Sequence, residues 1–375
     1  MDFGFTEEQT MLGESLARTL ERGPDSAALF DLGTGAALMT EEAGGFGGTG
    51  PDILMVFRTL GRGAAVTPLL DGVVLGAGAA LMTEEAGGFG GSGADILMVF
   101  RTLGRAGAVT PLLDSVVLGA GILADAGEAD LAEAAASGAA RIAVALDEPG
   151  QRYDGTVATR AEGDRLTGEK SVVPGAEDAT HLIVRATDGL WLVETGAEGL
   201  AMRGYALMDG GRAAEVTLKD TAARRIGDVS LLEQPLAAAI LAVCADALGV
   251  MEKAVELTTD YLKTRKQFGR PIGSFQAVQH RMADLLTEVE QARSAVWNLA
   301  GNLDAPDRDR HVAATKSLVG RVALYVAEET IQLHGGIGMT EEYELAPLAR
   351  RLLAADARFG DSDHHLERFI AVSAA

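Results

Sequence analysis

YLKTRKQFGRPIGSFQAVQHRMAD, Tyr261–Asp284, is the stretch whose reading decides this fold. Apolar residues recur at helical spacing over Leu231–Arg265, so a long helix should carry Tyr261, Arg265 and Lys266 and end near Phe268-Gly269. Gly269 can supply the left-handed terminal residue, and Pro271 blocks continuation. Ser274 can cap the next helix, FQAVQHRMADLL. Two positive charges at a helix end beside a sharp turn can grip a diphosphate, Arg in bidentate fashion. They can equally well complement the helix dipole, and the residues alone leave both readings open.

Downstream, Ser274–Leu303, Asp307–Leu333 and Glu342–Ala355 keep the same apolar spacing. With Leu231–Arg265 they predict an antiparallel four-helix bundle over residues 229–375. The stretch Gln332-Leu333-His334-Gly335-Gly336-Ile337-Gly338 ends a helix instead of opening one. Its glycines permit close approach of a ligand to the backbone. His334 has no metal-spaced partner and reads as a loop or core histidine. His364-His365, with Asp361 and Asp363 nearby, invites a metal reading, but adjacent side chains point apart and no metal is expected.

Upstream, residues 140–228 change character. RIAVALDE, HLIVRA, GLWLVET and AAEVTLKD are short strand-like runs separated by Gly, Asp and Pro, which predicts an antiparallel β domain. Residues 1–139 read as a helical domain holding a tandem repeat: 36–78 and 79–121 match at an offset of 43, with five differences. Each copy reads as a Gly-rich turn, a helix (Asp52–Leu60 or Asp95–Leu103), a Thr-Pro turn and a second helix. GGFGGTG lacks a preceding strand and a following Lys-Ser/Thr, so a flexible turn is favoured over a phosphate cradle.

Charge bounds the partners. With 32 basic and 54 acidic residues the chain carries a net −22, which disfavours nucleic acid. The single Cys244 rules out a disulfide framework and sits in an apolar helical stretch, where an inert buried thiol is expected. The acidic, amphipathic start MDFGFTEEQTMLGESL does not read as a signal peptide, and apolar runs such as Pro235–Ala245 are short of a bilayer span. A cytoplasmic protein without membrane insertion is expected.

Two stretches, YLKTRKQFGRPIGSFQAVQHRMAD and IQLHGGIGMTEEYELAPLARR, resemble specific motifs of the acyl-CoA dehydrogenase family. MDFGFTEEQTML, TEEAGGFGG, DEPGQRYD, LTGEKSVVPGA and TLKD extend the resemblance over nearly the whole chain. It implies an α+β, mostly α fold: an N-terminal helical domain, a middle antiparallel β-barrel domain and a C-terminal four-helix bundle. It implies FAD as cofactor and an acyl-CoA as substrate, with electron-transfer flavoprotein as a possible acceptor. A carboxylate removes the α-proton while a β-hydride passes to the flavin.

The departures are as informative. Aligned on Gly360, the usual Glu base is replaced by Phe359, and the alternative base position is Ala239. Asp361 and Asp246 are the nearest spare carboxylates, Asp361 being a weak candidate base. The family's T-E-P-G-x-G-S-D becomes Asp147–Asp154, and its flavin-facing W-I-T becomes Val172-Val173-Pro174. By contrast Arg265, Phe268, Gln276 and Gln332, Leu333, His334, Gly335, Gly336 match the residues with which a member reaches across a subunit interface to a neighbour's FAD. The resemblance therefore implies a subunit of a heterotetramer with a second, base-bearing acyl-CoA dehydrogenase-like chain, like the small subunits of pimeloyl-CoA-type enzymes. The alternatives are a self-sufficient homo-oligomer with a non-standard base, or a non-catalytic binding or scaffold protein.

Overall fold

The structure, a computed structural model, describes Leu81, residues 91–151, Tyr153 and residues 155–374. The first repeat copy, GGFGGTG and the helix read at Asp52–Leu60 lie outside the described residues.

The described chain begins with α1 (Gly93–Ala106), started by a reciprocal cap between Ser92 and Asp95 and ended by left-handed Gly107 at φ 63°. After Thr110-Pro111 the expected second helix is a π-helix, Leu112–Ala120, running into α2 (Gly121–Asp125). Then comes α3 (Ala129–Ala136).

The β region holds β1 (Ile142–Ala145), β2 (Arg160–Glu162), β3 (Arg165–Pro174), β4 (His181–Ala186), β5 (Gly189–Glu194), β6 (Leu200–Ala206), β7 (Arg212–Ala222) and β8 (Arg224–Gly227). The expected antiparallel barrel is corrected here. The strands form two four-stranded sheets, ordered β1-β4-β5-β8 and β2-β3-β7-β6, and among the described residues no barrel closes. β1 pairs with β4 in parallel. Leu182, Val184 and Val193 from one sheet share an apolar layer with Leu166, Val216 and Leu218 from the other. Strand alternation is the same for a sandwich and a barrel, so the sequence did not separate them.

The C-terminal part is built on α4 (Glu233–Thr264). The stretch Val229–Thr264 is long and apolar enough to cross a membrane, yet 83% of its most apolar window is buried inside the protein. It is a core helix. α1, α5 (Gln276–Gly301), α6 (Arg308–His334) and α7 (Leu345–Ala357) pack on it, and α8 (Ser362–Ala374) adds a fifth helix against α6. The α1–α4 crossing needs small residues. A Cβ on Gly104 would stand 2.1 Å from the Asp246 carbonyl oxygen, and one on Gly249 2.0 Å from that of Arg101.

Two expectations for the central motif are also corrected. α4 ends at Thr264, and Phe268-Gly269 forms the tip of a hairpin between β9 (Lys266–Gln267) and β10 (Arg270–Pro271). Both tip residues are left-handed, at φ 52° and 81°, as a two-residue turn between twisted strands demands. Ser274 does not cap α5; its Oγ donates to the Pro271 carbonyl at 2.7 Å, and Phe275 precedes the helix with no side-chain cap.

One buried carboxylate ties three helices. Glu252 on α4, 5% exposed at its side chain, receives Arg101 Nε (2.9 Å) and Arg105 Nη1 (3.2 Å) from α1 and Arg293 Nη2 (3.0 Å) from α5. Glu252→Gln leaves the arginines short of a counter-charge. It should cost about 2–3 kcal/mol, since charge-assisted bonds are removed but the arginines keep some solvent. Urea denaturation checks this; an unchanged midpoint would show the node to be dispensable.

Candidate functional site

One end of the bundle gathers the two motifs. Tyr261, near the end of α4, stacks on His334, the last residue of α6, with ring centroids 4.5 Å apart and planes 24° apart. Arg265 lies one turn beyond Tyr261, and Gly335-Gly336 directly follow His334. Arg265, Lys266, Arg270, Gln276 and Gln332 are all exposed here, while Asp260 and Glu344 sit close to Tyr343 at the same end.

The backbone there is open. A Cβ on Gly335 or Gly336 would meet nothing within 4 Å. α5 begins here with amides that no side chain caps, a natural seat for an anion at the positive end of a helix dipole. Phe268, 91% exposed, is held left-handed at the hairpin tip. Arg270 lies 4.1 Å over the Phe275 ring and stiffens the base of the hairpin.

Leu333 and His334 turn inward. His334 donates from Nδ1 to the Thr330 carbonyl (2.8 Å) and faces the Tyr343 hydroxyl through Nε2 (3.2 Å). Burial lowers its pKa, so the ring is neutral, as a core histidine should be. Only its backbone is left to face a ligand.

The opposite face, across the β domain and α7–α8, is built differently. Phe359 is left-handed at φ 57° and packs against the main core, while Ala239 is fully buried in α4. Neither can accept a proton. Asp361 is engaged: it receives the Tyr153 hydroxyl at 3.0 Å and the His364 amide at 2.9 Å. Tyr153 also packs beside His364, with centroids 4.9 Å apart. Sequence reading singled out Asp361 but missed Tyr153 as its partner, because the two are 208 positions apart. Asp246 is likewise engaged, in a bidentate pair with Arg351 at 2.6 and 2.8 Å.

Buried charges hold this face in shape. Glu148 receives Lys170 Nζ at 2.8 Å, Thr159 and two backbone amides. Burial pushes its carboxyl up, but these hydrogen bonds outweigh it and bring the pKa to about 2. Lys316, itself buried, donates to the carbonyls of Ala355, Asp356 and Gly360 and so fixes the turn that carries Phe359. Burial pushes the Cys244 thiol up to about 12, against the pull of Lys316, so it is inert. Among the described residues no cluster of His, Cys, Asp and Glu could hold a metal ion, and His364 and His365 are perpendicular to each other.

A cavity of about 430 Å³ lies between α4, α7, the Thr110–Ser115 segment and the β domain. Phe100, Leu103, Leu113, Ile142 and Val243 give it apolar walls. Asp246–Arg351 and a second ion pair, Asp114–Arg358, also line it. Burial raises the Asp114 carboxyl despite the adjacent Arg358 guanidinium.

Residues 227–373 match the family model of the acyl-CoA dehydrogenase C-terminal domain. The chain is 30% identical over 264 residues to the probable acyl-CoA dehydrogenase YngJ of Bacillus subtilis, covering 63% of this chain and 68% of YngJ. It is 29% identical to acyl-CoA dehydrogenase FadE28 of Mycobacterium tuberculosis, over 98% of this chain and 97% of that one. It spans 62% of the 3-(aryl)acrylate reductase of Clostridium sporogenes, at 30% identity over 56% of this chain. The ChsE4-ChsE5 complex from M. tuberculosis superposes with a TM-score of 0.78 at 26% identity, covering 100% of this chain and 99% of that one. The chain belongs to the acyl-CoA dehydrogenase family, a family of FAD-dependent oxidoreductases.

The uncapped, glycine-open end with its exposed Arg265 suits a diphosphate and its nucleoside. The β-domain face does not suit an isoalloxazine: Pro174 has no amide hydrogen, Val172 and Val173 carry no polar side-chain group, and Tyr153 is committed to Asp361.

His365 gives this face a pH signature. It is fully buried, with Nε2 donating to the Phe359 carbonyl at 2.9 Å. Burial outweighs that hydrogen bond, and with Lys316 nearby the pKa falls to about 4 from 6.5. The folded ring stays neutral where the unfolded one protonates. Its stabilisation is complete above pH 6.5, erodes as pH falls towards 4, and reaches a loss of about 3 kcal/mol. Denaturant titrations at about pH 7 and about pH 4.5 should show a steeper acid loss for wild type than for His365→Gln; equal losses would contradict the assignment.

Proposed function

We propose that this chain is one subunit of a hetero-oligomeric acyl-CoA dehydrogenase and completes the FAD site of a base-bearing partner. The observation that carries this reading is the asymmetry of the two faces. Arg265, Gln276, the α5 amides and the Gly335-Gly336 backbone form an open end, whereas Phe359, Ala239 and Pro174 replace the chemistry a self-contained site needs. The ChsE4-ChsE5 neighbour, a complex of two named chains, supports such an assembly.

Bound FAD supplies the hydride acceptor for α,β-dehydrogenation of an acyl-CoA thioester. This chain's part is to hold and shield. Arg265 and the α5 amides would bind the diphosphate, the open glycine backbone would take the nucleoside, and Phe268 would shield the cofactor from water. The α-proton goes to a carboxylate of the partner. Electron-transfer flavoprotein is the acceptor we favour; a relative from Acetobacterium woodii, 28% identical over 57% of this chain, is named as a subunit of a caffeyl-CoA reductase–Etf complex.

Arg265→Gln tests the lending role. In the complex co-expressed with its partner, flavin affinity should fall about tenfold or more, the value of one lost charge-assisted contact, with assembly unchanged by gel filtration. Undiminished flavin retention would count against the assignment.

A further inference from the structure

The cavity beside α4 has a lining that an alkyl chain does not explain. Its walls are apolar, but the paired side chains Asp246, Arg351, Asp114 and Arg358 line it as well. These four keep 14%, 16%, 18% and 23% of their side-chain surface exposed. α7 and the residue after it supply both arginines, while α4 and the π-helix supply both carboxylates, so each pair bridges two elements across the cavity wall.

A hydrocarbon seated here would cover charged groups without offering them a hydrogen bond, which buried polar groups resist. A carboxylate would meet two resident carboxylates, with Asp209 also on the lining and near Asp114. A neutral oxygen suits both members of a pair, since a hydroxyl accepts from an arginine and donates to an aspartate. The volume, about 430 Å³, lies in the range of small-molecule pockets.

We propose that this cavity binds acyl groups bearing a hydroxyl, and that the Asp246–Arg351 and Asp114–Arg358 pairs determine this preference. The proposal rests on the acyl-CoA reading for the handle its ligand carries. It does not require turnover by this chain.

Calorimetric titration of the full-length protein with octanoyl-CoA, 8-hydroxyoctanoyl-CoA and suberyl-CoA tests it. The hydroxylated thioester should bind about tenfold tighter than the other two, the value of one well-placed buried hydrogen bond. In Asp246→Asn/Arg351→Gln or Asp114→Asn/Arg358→Gln, each removing a whole pair, the preference should shrink to about twofold in at least one. The thermal midpoint shows whether each variant is folded. If the pairs only brace the fold, wild type binds octanoyl-CoA as tightly as the hydroxylated thioester, or both variants keep the full preference; either result overturns the proposal, as does absence of binding by all three thioesters. Turnover by the lone chain would sink the heteromeric reading and leave this one standing.

Discussion

A single apolar helix sets the terms for the rest of the molecule. α4 is too hydrophobic to face water along most of its length, so it must be enclosed. α1, α5, α6 and α7 enclose it, and the enclosure is tight enough that Gly104 and Gly249 admit no side chain. Charges in this interior are paired, as at Glu252 and Asp246, or satisfied by backbone carbonyls, as at Lys316. The C-terminal end of α4 brings Tyr261 and Arg265 to the place where α6 brings His334 and its glycines.

The two faces of the molecule follow from that frame but serve different ends. At the bundle end, Tyr261 stacked on buried His334 and Arg270 lying over Phe275 hold the base from which exposed Arg265 and the hairpin are presented. At the β-domain face, the polar groups are spent internally. Tyr153 and Asp361 satisfy each other, Lys316 satisfies three carbonyls, and Glu148 is saturated by donors.

Much of this was legible in the sequence where periodicity or a motif carried it. The four long helices were readable from apolar spacing, and the helix end before Gly335-Gly336 from its glycines. Asp95–Leu103 was readable as a helix. What failed was geometry that spacing does not encode. Phe268-Gly269 reads as a helix terminator, yet two consecutive left-handed residues build a hairpin. Strand alternation could not distinguish two sheets from a barrel, nor reveal the parallel β1–β4 pair. Tyr153 meeting Asp361, and the two ion pairs of the cavity, join residues more than a hundred positions apart, beyond any local signal.

The central claim is that this chain completes a flavin site it does not own. Flavin absorbance per chain, measured on the lone protein and on the assembly with a base-bearing homologue, tests that most directly. The account predicts that the lone chain purifies without stoichiometric FAD and that the assembly holds one flavin for every two chains. A lone chain carrying a full complement of FAD and oxidising an acyl-CoA would contradict it.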